Sequence, residues 1–277
     1  MPLTDKETAA IIDATRAVVA AEILPRFRNL GQDDIDEKAT FDDLVTVADT
    51  AAEAALTARI HDILPGDIVI GEEAVSADKA LLDGVGAGRV TIIDPIDGTW
   101  NFAHGIANYG VIVAVVEDGE TVWGLLYDPS FDDWIETRRG GGTWFVRGGS
   151  RRRLTVDPGP APLDRLRGNV GDYNFAQPLR PALAATTPRF RRSGSLGASL
   201  HEYRALCLGA SDFVLNAGLH VWDHAAGVLA LEEAGGVARL IDGTPYRPTL
   251  RTGRLLTARS APIWDELAPI FAEALSG

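Results

Sequence analysis

Asp94 and Asp97 stand three residues apart in Asp94-Pro95-Ile96-Asp97-Gly98-Thr99, directly after the apolar run Val90-Thr91-Ile92-Ile93. The run reads as a buried strand, which puts both carboxylates at its C-terminal end. Pro95 sets the exit turn, and Gly98-Thr99 opens a helix or a tight turn. Two acids converging at a strand end, beside backbone N–H groups, suit a hard metal ion that holds a phosphate. An Asp-rich turn that only caps a helix has the same local sequence, so this stretch alone leaves both readings open.

The bulk numbers narrow the class. A chain of 277 residues allows one large domain or two closely packed halves. Its formal charge of −13 argues against nonspecific nucleic-acid binding. An acidic chain can still hold an anionic substrate if clustered carboxylates bind divalent cations, which invert the local field. Arg151-Arg152-Arg153 follow the turn signal Gly148-Gly149 and read as a solvated strand edge; Arg189, Arg191 and Arg192 form a second basic cluster. The single cysteine, Cys207, excludes an internal disulfide and reads as a buried thiol between Leu206 and Leu208. No apolar run approaches the roughly 20 residues that span a membrane. The N-terminus lacks the pattern of a secretory signal, and Thr4-Asp5-Lys6-Glu7 instead reads as a capping box before Ile11, Ile12, Ala14, Val18, Val19 and Ile23. A cytoplasmic protein is expected.

Along the chain, 5–29 and about 43–64 read as helices, and Ile68–Ile70 and Val90–Ile93 as short strands. Tyr109–Val116, Thr121–Tyr127, Trp134–Thr137 and Thr143–Val146 alternate or run apolar, with hairpin signals at Asp118-Gly119 and Gly140-Gly141-Gly142. An antiparallel meander follows from that pattern. Pro158-Gly159-Pro160 marks a seam, which divides the chain into 1–157 and 158–277. Beyond it, strands are expected at Leu166–Val170, Phe213–Leu215, Val237–Ile241 and Leu255–Ala258. Helices are expected at 176–185, 196–208, 223–234 and 261–275, so the second half reads as α/β.

Three further blocks accompany the Asp94 stretch: Asp43-Leu44-Val45-Thr46-Val47-Ala48-Asp49 after Lys38; Gly71-Glu72-Glu73 after Ile68-Val69-Ile70; and Trp222-Asp223-His224-Ala225-Ala226-Gly227. The four blocks, in this order and at these distances, resemble the inositol monophosphatase family of metal-dependent phosphatases. The resemblance runs from about Lys38 to the C-terminus. It implies a mixed α+β and α/β fold, a layered sandwich of alternating helices and sheets with the site between the halves.

The resemblance also implies roles. Glu72, Asp94 and the Ile96 carbonyl would bind one ion, and Asp94, Asp97 and Asp223 a second, with a third weaker ion near Glu72. All these donors are oxygens, which favours Mg²⁺ or Mn²⁺ over Zn²⁺. Thr99 paired with Asp49 would position and deprotonate a water, with Glu72 nearby. The Gly98 and Thr99 N–H groups would hold the phosphate. Lys38 would offset part of the acidic charge. Glu73 reads either as a supporting charge or as a cap. Trp222 reads as packing behind Asp223, and His224 as a polar neighbour rather than a ligand. Ser195 and Asn216 would meet the substrate. Asn216 stands where inositol-specific relatives carry a Glu, which puts inositol 1-phosphate in doubt as the main substrate. Family members are commonly dimers and lithium-sensitive, so a homodimer and inhibition by Li⁺ are expected. The expected activity is hydrolysis of inositol monophosphate or a related small sugar or polyol phosphate. The alternatives are histidinol phosphate, fructose 1,6-bisphosphate or a nucleotide 3′-phosphate, and a non-catalytic binding protein of the same fold. The sequence shows no base-stacking surface, which weighs against the nucleotide.

Overall fold

Thr4 caps the first helix, α1 (Asp5–Val18), and Glu7 returns the bond to the Thr4 amide at 2.7 Å. A single π-helical turn, Val19–Ile23, extends it. Pro25, which has no N–H to donate, follows, and the helix stops short of the expected residue 29. The computed structural model describes residues 3–38 and 40–276. Strands β1 (Ile35–Glu37) and β2 (Leu44–Thr46) pair as an antiparallel ribbon. The helix expected from about residue 43 therefore starts later, as α2 (Val47–Ile63). Thr46 is its N-cap, and Asp49 closes a second capping box.

Strand β3 (Ile68–Gly71) runs parallel to β4 (Arg89–Asp97), with the short helix α3 (Glu72–Ala77) after β3. β4 does not end at Ile93. It continues through both acids, and its register breaks between Asp94 and Asp97, where Pro95 and Ile96 lie. The expected exit turn is thus a bulge in a continuing strand, and α4 (Thr99–Ala103) follows it. β5 (Gly110–Glu117), β6 (Glu120–Asp128), β7 (Asp133–Arg138), β8 (Gly142–Arg147) and β9 (Ser150–Leu154) form the meander. β3 to β9 lie in chain order in one seven-stranded sheet. Arg151 to Arg153 are exposed on β9, its edge strand, where charge discourages further pairing.

The second sheet holds β10 (Arg167–Val170), β11 (Arg192–Gly194), β12 (Phe213–Asn216), β13 (Val237–Leu240) and β14 (Leu255–Ala258) in the order β11-β10-β12-β14-β13. β10 pairs in parallel with β11 and β12, whereas β14 pairs antiparallel with β12 and β13. Its helices are α5 (Arg180–Ala184), α6 (Ser199–Cys207), α7 (Val221–Glu233) and α8 (Ala261–Ala274). Pro178 and Pro181 shorten the helix expected over 176–185 to a 3₁₀ turn, Gln177–Leu179, followed by α5.

Alternation along the strands sorts the side chains into layers. On β5, Val111, Val113 and Val115 pack with α1 and α2, while Ile112, Ala114 and Val116 face α6 and α7. On β12, Val214 joins that same central core, while Phe213 and Leu215 pack with α5 and α8. The order is helices, sheet, helices, sheet, helices. The central core takes residues from both sheets, so apolar packing crosses the Pro158-Gly159-Pro160 stretch. Cys207 lies buried within it. No helix among the described residues is long and apolar enough to cross a membrane.

Candidate active site

The end of β4 and the start of α7 bring three carboxylates together. One oxygen each of Asp94, Asp97 and Asp223 lies within 4.8 Å of the others. Asp94 is 1% exposed, and its Oδ1 has no hydrogen-bond partner. Asp97 accepts from the Ser199 N–H at 2.9 Å and the Leu200 N–H at 2.6 Å, so it caps α6 from across the molecule. Asp223 has His220 Nδ1 at 3.3 Å. Burial and then the neighbouring acids push the Asp94 and Asp97 carboxyls well above the usual carboxylate range. Burial also works to raise Asp223, but the contact with His220 overcomes it and holds this carboxyl low.

Glu72 stands beside the trio at the start of α3. Its Oε1 accepts from Lys38 Nζ at 2.9 Å, and Glu73 Oε1 accepts from the same ammonium at 2.7 Å. Burial works against the charged ammonium, and the two carboxylates outweigh it, so the Lys38 pKa is raised. Glu73 is pushed up to about 7 by burial and then by Glu72. Beneath them lies Glu53, which the sequence reading missed. It is buried and accepts from the Glu73 and Ala74 N–H groups at 2.8 and 2.9 Å, satisfying two open donors of α3. A Cβ at residue 71 would lie 2.1 Å from the Glu53 carboxyl carbon, so Gly71 is what lets that carboxylate approach. The one signal for Glu53 is its place on α2, a turn beyond Asp49 on the same face.

Thr99 opens α4. Its Oγ1 lies 3.1 Å from Asp49 Oδ1 and 3.0 Å from the Ile96 carbonyl. Asp49 is fully buried, and burial pushes its carboxyl up to about 6 against the bonds from Thr46. Gly98, the N-cap of α4, has φ 87°, and no side chain caps this helix. A Cβ there would also meet Ala198 Cβ at 2.9 Å and the Asn108 carbonyl at 3.0 Å, so glycine is needed for both conformation and space.

A cleft of about 420 Å³ joins these parts, lined by Glu72, Gly98, Thr99, Asn216, His220 and Asp223 among others. A smaller lobe of about 140 Å³ opens from it, lined by Asp97, Ser195, Asn216 and Glu202. Asn216 Nδ2 is buried without a partner, whereas Ser195 Oγ already donates to Glu202 at 3.1 Å. Glu202, also unseen in the sequence, holds the Leu196 N–H at 3.0 Å and is pushed up to about 7 by burial. His224 is buried with its ring nitrogens on Tyr203 Oη and the Gly218 carbonyl, each at 3.1 Å, so it supports the start of α7. Trp222 packs partly against the central core and stacks on His220, with centroids 5.1 Å apart.

The donor chemistry fits a hard divalent cation. An orphaned buried carboxylate oxygen is costly unless a cation or a proton meets it. The trio, Glu72 and the Ile96 carbonyl are all oxygen donors, and no thiolate is near, which suits Mg²⁺ or Mn²⁺.

The description of the inositol monophosphatase family matches residues 4–276. The inositol-1-monophosphatase of Mesorhizobium japonicum is 34% identical over 210 residues, 73% of each chain. The fructose-1,6-bisphosphatase/inositol-1-monophosphatase of Thermotoga maritima is 30% identical over 212 residues, 76% of this chain and 77% of that one. The solved Thermotoga maritima IMPase superposes over 98% of both chains with a TM-score of 0.81 and 25% identity.

Proposed function

This chain belongs to the inositol monophosphatase family, and on that footing we propose that it is a Mg²⁺-dependent phosphatase of inositol monophosphate or a related small polyol phosphate. The observation that carries the reading is the unpartnered, buried Oδ1 of Asp94 within reach of Asp97 and Asp223. Asp94, Asp97 and Asp223, with Glu72 and the Ile96 carbonyl, would hold two Mg²⁺ ions, or three; Mn²⁺ suits the same donors. Bound there, such ions would supply polarisation of a water and charge stabilisation of the departing alkoxide.

The chain's own groups supply the rest. The Thr99 hydroxyl bridges toward Asp49, whose carboxyl, raised to about 6, is placed to take up a proton near neutral pH. The Gly98 and Thr99 N–H groups, at an uncapped helix start, offer donors to phosphate oxygens. Lys38 holds Glu72 and Glu73 in place and offsets their charge. Asn216 and Ser195 face the alcohol part of the ester. We take the assembly to be a homodimer on the family resemblance alone. A second reading, fructose 1,6-bisphosphate as substrate, is favoured by the name of the Thermotoga relative.

The test is a phosphate-release assay on inositol 1-phosphate, glycerol 2-phosphate and fructose 1,6-bisphosphate. Activity should vanish in EDTA, return with Mg²⁺ and fall with added Li⁺. Asp94→Asn should lower turnover by a factor on the order of 10³. Full activity in metal-stripped protein, or a near-normal rate in folded Asp94→Asn, would refute the reading.

A further inference from the structure

Ser195 and Asn216, the two residues that face the alcohol, leave one need unmet: a strong acceptor for a hydroxyl proton. Asn216 Nδ2 is a donor, enclosed and without a partner. Ser195 Oγ gives its own proton to Glu202 Oε1 at 3.1 Å. It accepts from the Gly197 N–H at 3.1 Å and lies 3.4 Å from Tyr173 Oη, so this hydroxyl is already engaged on all sides. Glu202 is placed to supply the acceptor. It is buried on α6 and lines the 140 Å³ lobe with Asp97, Ser195 and Asn216. Its bonds from Ser195 Oγ and from the Leu196 N–H at 3.0 Å both fall on Oε1. Among the described residues no hydrogen bond falls on Oε2. Asp97 also lines the lobe, but each of its oxygens holds an amide of α6, and it belongs to the acid trio. A hydroxyl entering the lobe meets both open needs, because it accepts from Asn216 Nδ2 and donates to Glu202 Oε2. A bond to a carboxylate is charge-assisted and roughly twice as strong as one between neutral groups. The lobe and the main cleft share Asn216, Ser199 and Asp223, so an alcohol whose phosphate sits in the cleft reaches the lobe directly. Neither cavity is lined by a lysine or an arginine, so neither offers a cation to a second phosphate.

We infer that Glu202 reads the alcohol: its carboxylate accepts a hydrogen bond from a hydroxyl beside the ester oxygen, and the Asn216 amide donates to that same hydroxyl. The selecting carboxylate then comes from α6 and not from residue 216 at the end of β12. The substrates narrow to monoesters of uncharged alcohols with a free hydroxyl next to the ester. The inference rests on the phosphatase reading above.

The experiment compares 2-hydroxyethyl phosphate with 2-fluoroethyl phosphate on the Mg²⁺-loaded protein. It is run at pH 8, above the value of about 7 to which burial raises Glu202, so that the carboxylate is charged. Fluorine is close to a hydroxyl in size and in its pull on the leaving oxygen, but it has no proton to give. Wild type should favour the hydroxy ester in kcat/KM by roughly 10- to 100-fold, the worth of one hydrogen bond to a charged group. Glu202→Gln, which keeps an oxygen for the Leu196 N–H, should cut that ratio by about 5-fold or more. A loss shared equally by both esters would mean that Glu202 only holds the Ser195 loop, and would overturn the inference. Equal kcat/KM for the two esters in wild type also overturns it and leaves the phosphatase reading intact; this comparison needs no variant, so it holds even where Glu202→Gln does not fold. Calorimetric titration with both esters reads binding without turnover. Tighter binding of the hydroxy ester in wild type, lost in Glu202→Gln, with neither ester hydrolysed, supports the role of Glu202 and defeats only the phosphatase reading.

Discussion

Replacing Glu53 by Gln isolates the support beneath Glu72. The native carboxylate accepts from two backbone donors, Glu73 N–H at 2.8 Å and Ala74 N–H at 2.9 Å. Gln has nearly the same shape but one acceptor oxygen, and its amide would turn a donor toward the other N–H. One hydrogen bond to a charged group is lost, about 1.5–3 kcal/mol, and one enclosed N–H is left unpaired, about 1–3 kcal/mol more. Removing the charge also relieves repulsion with Glu72, by about 1 kcal/mol. The balance is a destabilisation of about 1.5–5 kcal/mol, or roughly 3–20 °C in Tm for a chain of this size. Thermal unfolding followed by circular dichroism in EDTA keeps cation binding out of the measurement. Because α3 carries Glu72, kcat/KM with Mg²⁺ should also fall roughly 10- to 100-fold, as for other groups that orient metal ligands. A Tm within about 1 °C of wild type, with kcat/KM unchanged, would mean that desolvating Glu53 cancels its bonds, and the support would be refuted.

Two other predictions concern specificity and acid stability. Asn216→Glu should raise the preference for inositol 1-phosphate over glycerol 2-phosphate by roughly 10- to 100-fold at most, the worth of one charged hydrogen bond; an unchanged ratio of kcat/KM values would show that residue 216 does not read the alcohol. Asp212 is buried, which works to raise its carboxyl, but bonds from Arg167 at 2.8 and 3.0 Å and from Arg259 at 2.8 Å outweigh this and hold it low. A depressed carboxyl stabilises the fold above its unfolded pKa, and that stability is lost as pH falls through the folded one. Urea midpoints taken from pH 6 to pH 3 should therefore fall less steeply in Asp212→Asn than in wild type, and parallel slopes would refute the assignment.

What could be seen in the sequence was whatever repeats locally. Alternation along β5 and β6, with Asp118-Gly119 between them, makes the meander legible, because the side-chain period and the turn are both short-range. The acids of β4 were equally legible, since a strand end concentrates them. The length of β4 was not: Pro95 looks like a stop, and only pairing with β5 on both sides of the bulge carries the strand through it. The start of α2 was missed because Leu44–Thr46 is claimed by β1, a partner found only in three dimensions. Glu53 and Glu202 escaped for the same reason. Their partners are backbone N–H groups that the sequence does not mark, 20 residues away for Glu53 and 6 for Glu202.

Asp97 has a consequence for how the cleft is kept in tune. Each of its oxygens has two lone pairs, and one on each is already taken by the first amides of α6. The positive end of that helix works against the burial and the neighbouring acids that raise this carboxyl and fixes it in direction, so a cation arriving there meets a group that has little left to reorganise. The turn leading into α6 is also the one that carries Ser195 and presses Ala198 against Gly98. The acid cluster, the Gly98 turn and the Ser195 loop therefore hang on a single joint. A change at Ser195 or Ala198 will register at the acids, and a change at Asp97 will loosen the Ser195 loop, although about a hundred residues of chain separate the two.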